Sequence, residues 1–289
     1  MFVASVTGFS AGSCAENFEV GRDRPSVGAG AAGASANTGG GGTSSMVRPC
    51  QPRACQGKIY QCGDCVDNDG DQREDSNDPD CTGPCDNTED SYYGGIPGQN
   101  NAPCRQDCYF DQDTGSGNDQ CYWSHECDPL SLAPDYPPSG DPQCTYQPDA
   151  KVPGSNSTCD GLSATQASAC LDSCLPLTPN GCDCFGCCQL PADSGKFVWL
   201  GSSLKNAGTC DAAHVDDPAA CRPCTPVPSC FNACDPCEVC VGRTAPAASC
   251  NSNTPPRCPA SSPECGQPGE TDCDANFYCV TGCCVPTPL

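Results

Sequence analysis

Carboxylate side chains recur at alternate positions in an acidic segment that begins at Cys65 and ends at Cys81. In a tight loop, side chains two residues apart point to the same side, and oxygen ligands placed in this way suit Ca²⁺. The spacing therefore predicts a calcium-binding loop bracketed by two cysteines. The candidate ligands are Asp67, Asp69, Asp71, Asp75 and Asp78, with the backbone carbonyl of Arg73 among them.

The ligand spacing follows the twelve-residue loop of an EF-hand, but two positions differ. Gln72 stands at the sixth place, where a sharp turn normally requires a glycine with positive φ, although Gly70 could make the bend instead. Glu74 replaces an apolar residue, so no flanking helix pair is expected to dock on the loop. Residues 62–85 resemble instead a thrombospondin type 3 repeat, or the related Asp-rich repeats of bacterial surface proteins. The resemblance implies weak calcium binding of the extracellular kind, with dissociation constants on the order of 10⁻⁴ to 10⁻³ M.

The same segment also fits a solvated acidic loop without an ion, because blocks of like charge are usually exposed or disordered. Residues 64–90 contain 11 Asp or Glu and a single basic residue, Arg73. Without a counter-ion this loop should expand by self-repulsion, and with one it should close. The alternation, Gly70 and the bracketing cysteines together favour the calcium interpretation, in which the ion is part of the fold.

A second acidic cluster repeats the alternation, with glycines at the turn positions. Its candidate ligands are Asp111, Asp113 and Asp119. These side chains could hold a second calcium ion, or they could cap their own backbone in Asx turns. The sequence leaves both interpretations open.

The composition excludes a conventional hydrophobic core. Leu, Ile, Val and Phe together number 34 of 289 residues, below the roughly 20% under which highly charged chains stay unfolded. The chain has 33 cysteines, and disulfides can supply the stability that apolar burial cannot. Such a chain must fold in an oxidising compartment. The net charge of -23 argues against nucleic acid or an anionic membrane as a partner, because both require a basic face.

The predicted fold class is small and disulfide-rich, mostly irregular and β, with a few short helices, several modules and little hydrophobic core. Ser163–Leu175 is the best helix candidate, with Cys170 and Cys174 on one face. Lys196–Leu200 is the only convincing strand. The modules are expected at 1–14 (an export segment), 15–49 (a Gly-, Ala- and Ser-rich tether), 50–128 (the acidic calcium-loop module), 129–157 (a Pro-rich connector), 158–244 (a second Cys-rich module) and 245–289 (a C-terminal knot-like module).

Cys14 stands apart from the other cysteines, in an Ala-Gly-Ser-Cys sequence that is similar to a degenerate bacterial lipobox. The similarity implies export and lipidation of Cys14, and the alternative is an odd thiol in a disordered tail. The other 32 cysteines lie between Cys50 and Cys284 and can close 16 disulfides. Their pairing cannot be deduced from the sequence. A bond between Cys65 and Cys81 would preform the calcium loop and contribute about 3 kcal/mol.

Two dense cysteine groups invite further predictions. The four cysteines within 182–188 could form a metal–thiolate cluster, but export favours disulfides. The adjacent Cys283 and Cys284 cannot easily bond each other and should reach different partners. No catalytic centre is expected, because the chain has two His, no recognisable nucleophile motif and too few apolar residues to line a cleft.

Taken together, the lipobox-like Cys14, the tether, the acidic loop and the Cys-dense C-terminal modules resemble cysteine-rich surface proteins of myxobacteria, a set without an assigned activity. The resemblance implies an extracellular or outer-cell-surface location, with membrane contact only through a lipid anchor. We therefore expect a calcium-stabilised, disulfide-stapled structural or binding protein of a cell surface, matrix or filament, with self-association or a matrix protein as the partner. The alternative is a secreted inhibitor or toxin-like array of binding modules.

Overall fold

Disulfide bonds cross-link the chain at many points along its described residues. The computed structural model describes residues 50–95, 104–111, 119–130, 144–152, 154–192, 194–202, 208–243, 250, 258, 262–266 and 273–288, all within one compact unit, Arg48–Leu289. The predictions for 1–14, for 15–49, for Cys14 and for Asp113 lie outside these residues. All 32 cysteines from Cys50 to Cys284 form the 16 disulfides that their number predicts.

The disulfides fall into five consecutive blocks, and no bond among these 32 cysteines joins one block to another. We call them block 1 (50–85), block 2 (104–174), block 3 (182–230), block 4 (234–250) and block 5 (258–284). The cysteines of 104–127 all bond to partners in 144–174, so they are covalently separate from the acidic loop. Contacts between blocks are therefore noncovalent.

Both predictions for the dense cysteine groups are confirmed. The four cysteines of 182–188 are all oxidised, in Cys182–Cys188, Cys184–Cys230 and Cys187–Cys224. Cys283 bonds to Cys258, and its neighbour Cys284 bonds to Cys273. Because a disulfide sulfur is not a thiolate, these cysteines do not provide metal ligands.

Regular secondary structure is short throughout the described residues, which confirms the predicted fold class. The described residues contain two α-helices, α1 (Cys159–Ala164) and α2 (Ser168–Ser173). The strands are β1 (Ala54–Cys55), β2 (Lys58–Ile59), β3 (Arg105–Gln106), β4 (Trp123–Ser124), β5 (Cys182–Asp183), β6 (Cys187–Gln189), β7 (Phe197–Trp199), β8 (Arg222–Pro223), β9 (Phe231–Asn232), β10 (Phe277–Val280) and β11 (Cys283–Pro286). Single 3-10 turns occupy Gln61–Gly63, Asp75–Asn77, His125–Cys127, Leu175–Leu177 and Pro228–Cys230.

The predicted helix Ser163–Leu175 is broken into α1 and α2, so its predicted start was wrong. Thr158, rather than Ser163, caps α1 with its hydroxyl. The break occurs because the buried Gln166 side chain turns inward and donates hydrogen bonds to two carbonyl oxygens, both at 3.0 Å. The predicted cysteine face is correct, since Cys170 and Cys174 are fully buried and bond to two cysteines of the same block.

The largest sheet has five antiparallel strands in the order β8-β7-β6-β5-β9, and it lies in block 3 and the residues next to it. Strand β7 confirms the strand predicted at Lys196–Leu200. The turn between β5 and β6 requires Gly186, which has φ +81 and lies against the Tyr109 ring. Asp183 is 1% exposed and accepts three backbone hydrogen bonds, from Phe185 and Cys187 at 2.9 Å and from Val227 at 2.7 Å. This carboxylate therefore ties the sheet to the chain that precedes β9.

Candidate metal site

Two disulfides anchor the acidic loop in block 1. Cys65 bonds to Cys50, and Cys62 bonds to Cys81, so a direct bond between Cys65 and Cys81 is not formed. The reason is local geometry: the 3-10 turn Gln61–Gly63 and the positive φ of 65° at Cys65 direct the two cysteines of the C-x-x-C pair to different partners. The loop is bracketed by cysteines as predicted, but through two bonds instead of one.

The first three candidate ligands cap the backbone of their own loop. The Asp67 carboxylate accepts the N–H groups of Gly70 at 2.7 Å and Gln72 at 3.0 Å. Gly70 and Gln72 both have positive φ, at 88° and 77°, so Gln72 adopts the conformation expected of a glycine. The same capping joins Asp69 to the N–H of Asp71 at 2.9 Å and Asp71 to the N–H of Arg73 at 2.8 Å. These exposed side chains give the loop a fixed bend.

Asp75 points into the base of the loop. Its carboxylate accepts the N–H of Cys65 at 3.0 Å, and its own N–H donates to Glu89 at 2.8 Å. Glu89 also accepts the N–H of Asn68 at 2.6 Å, so its carboxylate joins the two halves of the loop. Burial, together with the negative charges of Glu89 and Asp64, raises the pKa of Asp75 to about 6. Sequence reasoning missed Glu89, which lies outside the alternating pattern.

Asp78 is the most deeply buried of the ligands predicted in the acidic loop, at 3% exposure. Its Oδ1 accepts the N–H of Asp80 at 2.7 Å, while its Oδ2 and the Oδ1 of Asp80 are buried without a hydrogen-bond partner. Burial, together with the charges of Asp69 and Asp71, raises the pKa of Asp78 to about 6 and that of Asp80 to about 7. The structure thus brings three predicted ligands into one charged neighbourhood and adds Asp80, which the pattern did not include.

No basic side chain among the described residues forms an ion pair with Asp78 or Asp80. Arg73 pairs with Asp71 at 3.8 Å on the exposed side of the loop. Buried carboxylate oxygens without a partner are costly, and a proton or a cation is needed to offset the charge. Because the nearby donors are oxygens, a hard cation such as Ca²⁺ suits this neighbourhood.

The second acidic cluster is partly assembled. The carboxylates of Asp111 and Asp119 and the sulfur of Cys108 lie within 4.8 Å of one another, and all three residues are buried. Asp119 also accepts the N–H of Cys121 at 3.0 Å, which is the backbone capping that the alternative interpretation predicts. Cys108 is held in a disulfide, so it does not act as a thiolate ligand here.

A cleft of about 140 Å³ opens between block 1, block 4 and block 5. Its walls are mostly apolar side chains, disulfides and backbone, including Pro79, Val239, Val241 and Val280. Asp78 is the only ionisable side chain among the described residues that line it. Among the described residues, this cleft therefore brings no acid–base pair together.

Dense disulfide bonding, short elements and a small core define a stable protein of the extracellular type. In the described parts of the chain, no helix has the length and apolar character needed to cross a membrane. The chain matches no protein family, no curated protein and no solved structure.

Proposed function

We propose that this is a calcium-stabilised, disulfide-stapled extracellular protein with a structural or binding role at a cell surface, in a matrix or in a filament. The observation that carries the proposal is the pair of buried carboxylate oxygens, on Asp78 and Asp80, that have no hydrogen-bond partner. They lie beside Asp69 and Asp71 in a chain of net charge -23. A bound cation would offset this concentration of negative charge.

Calcium fits this site better than a softer metal. Transition metals prefer imidazole and thiolate ligands, but the 32 cysteines of the described blocks are oxidised and neither His lies in the acidic loop. Calcium accepts six to eight oxygen ligands in a flexible geometry, which suits a loop whose carboxylates come from irregular backbone. The exposed oxygens of Asp69 and Asp71 are available to complete such a shell.

The proposed role is structural or binding instead of catalytic. In the part of the chain that the structure describes, the small cleft offers one carboxylate and no base beside it, whereas hydrolytic chemistry normally requires a pair of positioned ionisable groups. A rigid scaffold with five covalent blocks supports a role in which shape must persist outside the cell. Self-association or a matrix protein would then be the macromolecular partner.

Removal of calcium is expected to lower the melting temperature. Calcium at about ten times its dissociation constant should stabilise the folded state by about 1.4 kcal/mol, which corresponds to a shift of roughly 3–6 °C for a unit of this size. The measurement is differential scanning calorimetry after EGTA treatment and again after calcium is restored. Potassium chloride at matched ionic strength is the control, because screening alone would act equally in both salts. Equal melting temperatures with calcium and with EGTA would remove calcium from the proposal.

A further inference from the structure

The chain just after block 1 packs against block 3 without any covalent link. The N–H of Tyr92 donates to the carbonyl of Cys210 at 2.9 Å. Gly208 lies so close to Ser91 and Tyr93 that there is no room for a Cβ at this position. Cys210 is itself fixed by its disulfide to Cys221. The two segments therefore form a close seam, with Asp211 directly after the contact.

Three oxygen atoms in residues 78–92, the segment that leads into this seam, are buried and lack a hydrogen-bond partner. They are Oδ2 of Asp78, Oδ1 of Asp80 and the hydroxyl oxygen of Tyr92. Tyr92 is fully buried and Asp78 is 97% buried, at exposures of 0% and 3%. Unpartnered polar groups at this depth are uncommon in native proteins and call for a ligand or an ion.

Asp211 directly follows Cys210, so the hydrogen bond between Tyr92 and Cys210 brings Asp211 to the seam, although it lies far from Asp80 in the sequence. Burial raises the pKa of the Tyr92 hydroxyl, and the charges of Asp80, Asp211 and Asp78 raise it further. The Asp211 carboxylate accepts the N–H groups of Ala213 and His214 and lies 2.8 Å from His214 Nδ1. His214 is 58% exposed, so its ring can move aside at little cost when another cation approaches.

We infer that a calcium ion binds at this seam, held by the carboxylates of Asp78, Asp80 and Asp211 next to the Tyr92 hydroxyl. The inference rests on the proposed binding of calcium. It places the ion next to two residues, Asp80 and Asp211, that the alternating sequence pattern did not predict as ligands. Asp78 and Asp80 belong to block 1, and Asp211 belongs to block 3. The ion therefore cross-links two blocks that share no disulfide, in the same way that the disulfides cross-link residues within each block.

Terbium luminescence tests the position of the ion directly. Tb³⁺ occupies calcium sites and emits strongly when a tyrosine within a few ångströms absorbs the light, so Tyr92 should sensitise it. Tyr92→Phe retains the packing of the ring and should remove most of this emission, with calcium affinity by calorimetry changed less than about threefold. Asp80→Asn and Asp211→Asn should each weaken calcium binding by about tenfold or more, because ligand charge sets the affinity of such sites. Asp217→Asn is the matched control, since it removes the same charge from the same loop, and it should bind as the wild type does.

The outcomes separate this inference from the proposed function. Absence of calcium and terbium binding in the wild-type protein would overturn both. Binding that survives Asp80→Asn and Asp211→Asn but is lost in Asp69→Asn would preserve calcium loading and overturn the seam site. Full emission from Tyr92→Phe would also overturn it, and would point to Tyr278, whose hydroxyl is buried near Asp75 and Glu89. A thiol titration of each variant should find no free thiol from residues 50–284, which confirms that the disulfides have formed.

Discussion

Complete reduction of the disulfides is expected to unfold the protein even in saturating calcium. Loss of one native disulfide from a small secreted domain typically costs about 2–5 kcal/mol, and the whole stability of a domain is about 5–15 kcal/mol. Three or four bonds therefore carry as much free energy as a typical fold, and this unit has 16. Apart from the cysteines, the buried core includes few Leu, Ile or Phe side chains, so apolar burial alone cannot stabilise the fold.

Near-ultraviolet circular dichroism measures this loss, because the signal depends on fixed surroundings for buried aromatic residues such as Trp199 and Tyr92. The reduced thiols should be alkylated so that they cannot re-form bonds during the measurement. The control is the oxidised protein in EGTA, which should keep its aromatic signal because every block remains cross-linked. An aromatic spectrum that persists after reduction would show that cross-links do not account for the fold.

Replacement of Asp183 by alanine is expected to destabilise the protein by at least about 3 kcal/mol, since it leaves three buried N–H groups without an acceptor at about 1–3 kcal/mol each. These groups belong to Phe185, Cys187 and Val227, and their common acceptor is 1% exposed. The measurement is chemical denaturation with the disulfides intact. Asp183→Asn should cost less, because its remaining oxygen can still accept the two bonds that Oδ1 receives, while its amide faces the N–H of Val227. Equal stabilities for the two variants would contradict this account of the site.

The pH dependence of Asp183→Asn gives a second test of the same carboxylate. Burial raises the pKa of Asp183 from 3.8 to about 7, against the opposing effect of its three hydrogen bonds. The folded chain then binds more protons than the unfolded chain between these values, so the wild-type protein loses stability as pH rises from about 4 to about 7. The asparagine does not titrate. The difference in unfolding free energy between wild type and Asp183→Asn should therefore narrow across this range, and a constant difference would contradict the raised pKa.

Composition was sufficient to predict the fold class. The chain has too few apolar residues to form a large hydrophobic core, so its many cysteines must stabilise an irregular fold through disulfides. Local cues also predicted β7 and the different partners of Cys283 and Cys284. The helix prediction failed at Gln166, where a buried amide binds two backbone carbonyls and stops α1. This contact is tertiary, so neither the spacing of the cysteines nor the helix propensity of the residues could predict it. Pairing of Cys65 with Cys50 likewise depends on a positive φ at Cys65, which the sequence does not indicate.

The acidic site was only partly predictable for a similar reason. Alternation along the loop identified Asp69, Asp71 and Asp78, because that information is local. Asp80 could have been suspected from its place beside Cys81, but Asp211 reaches the site only through the packing of Tyr92 against Cys210. No sequence signal connects positions so far apart in a single chain without related sequences to compare.

The division into five covalent blocks has a consequence for the way in which the chain can mature. A secreted polypeptide leaves the translocation pore from its amino end, and each block could finish oxidation before the next one emerges. The six cysteines of block 1 have only fifteen ways to pair, and the eight of block 2 have one hundred and five. A search over all 32 at once would be vastly larger. Export of the chain from its amino end would divide this pairing problem into five small ones, and incorrect pairing should become frequent when the full-length chain is oxidised in a single step.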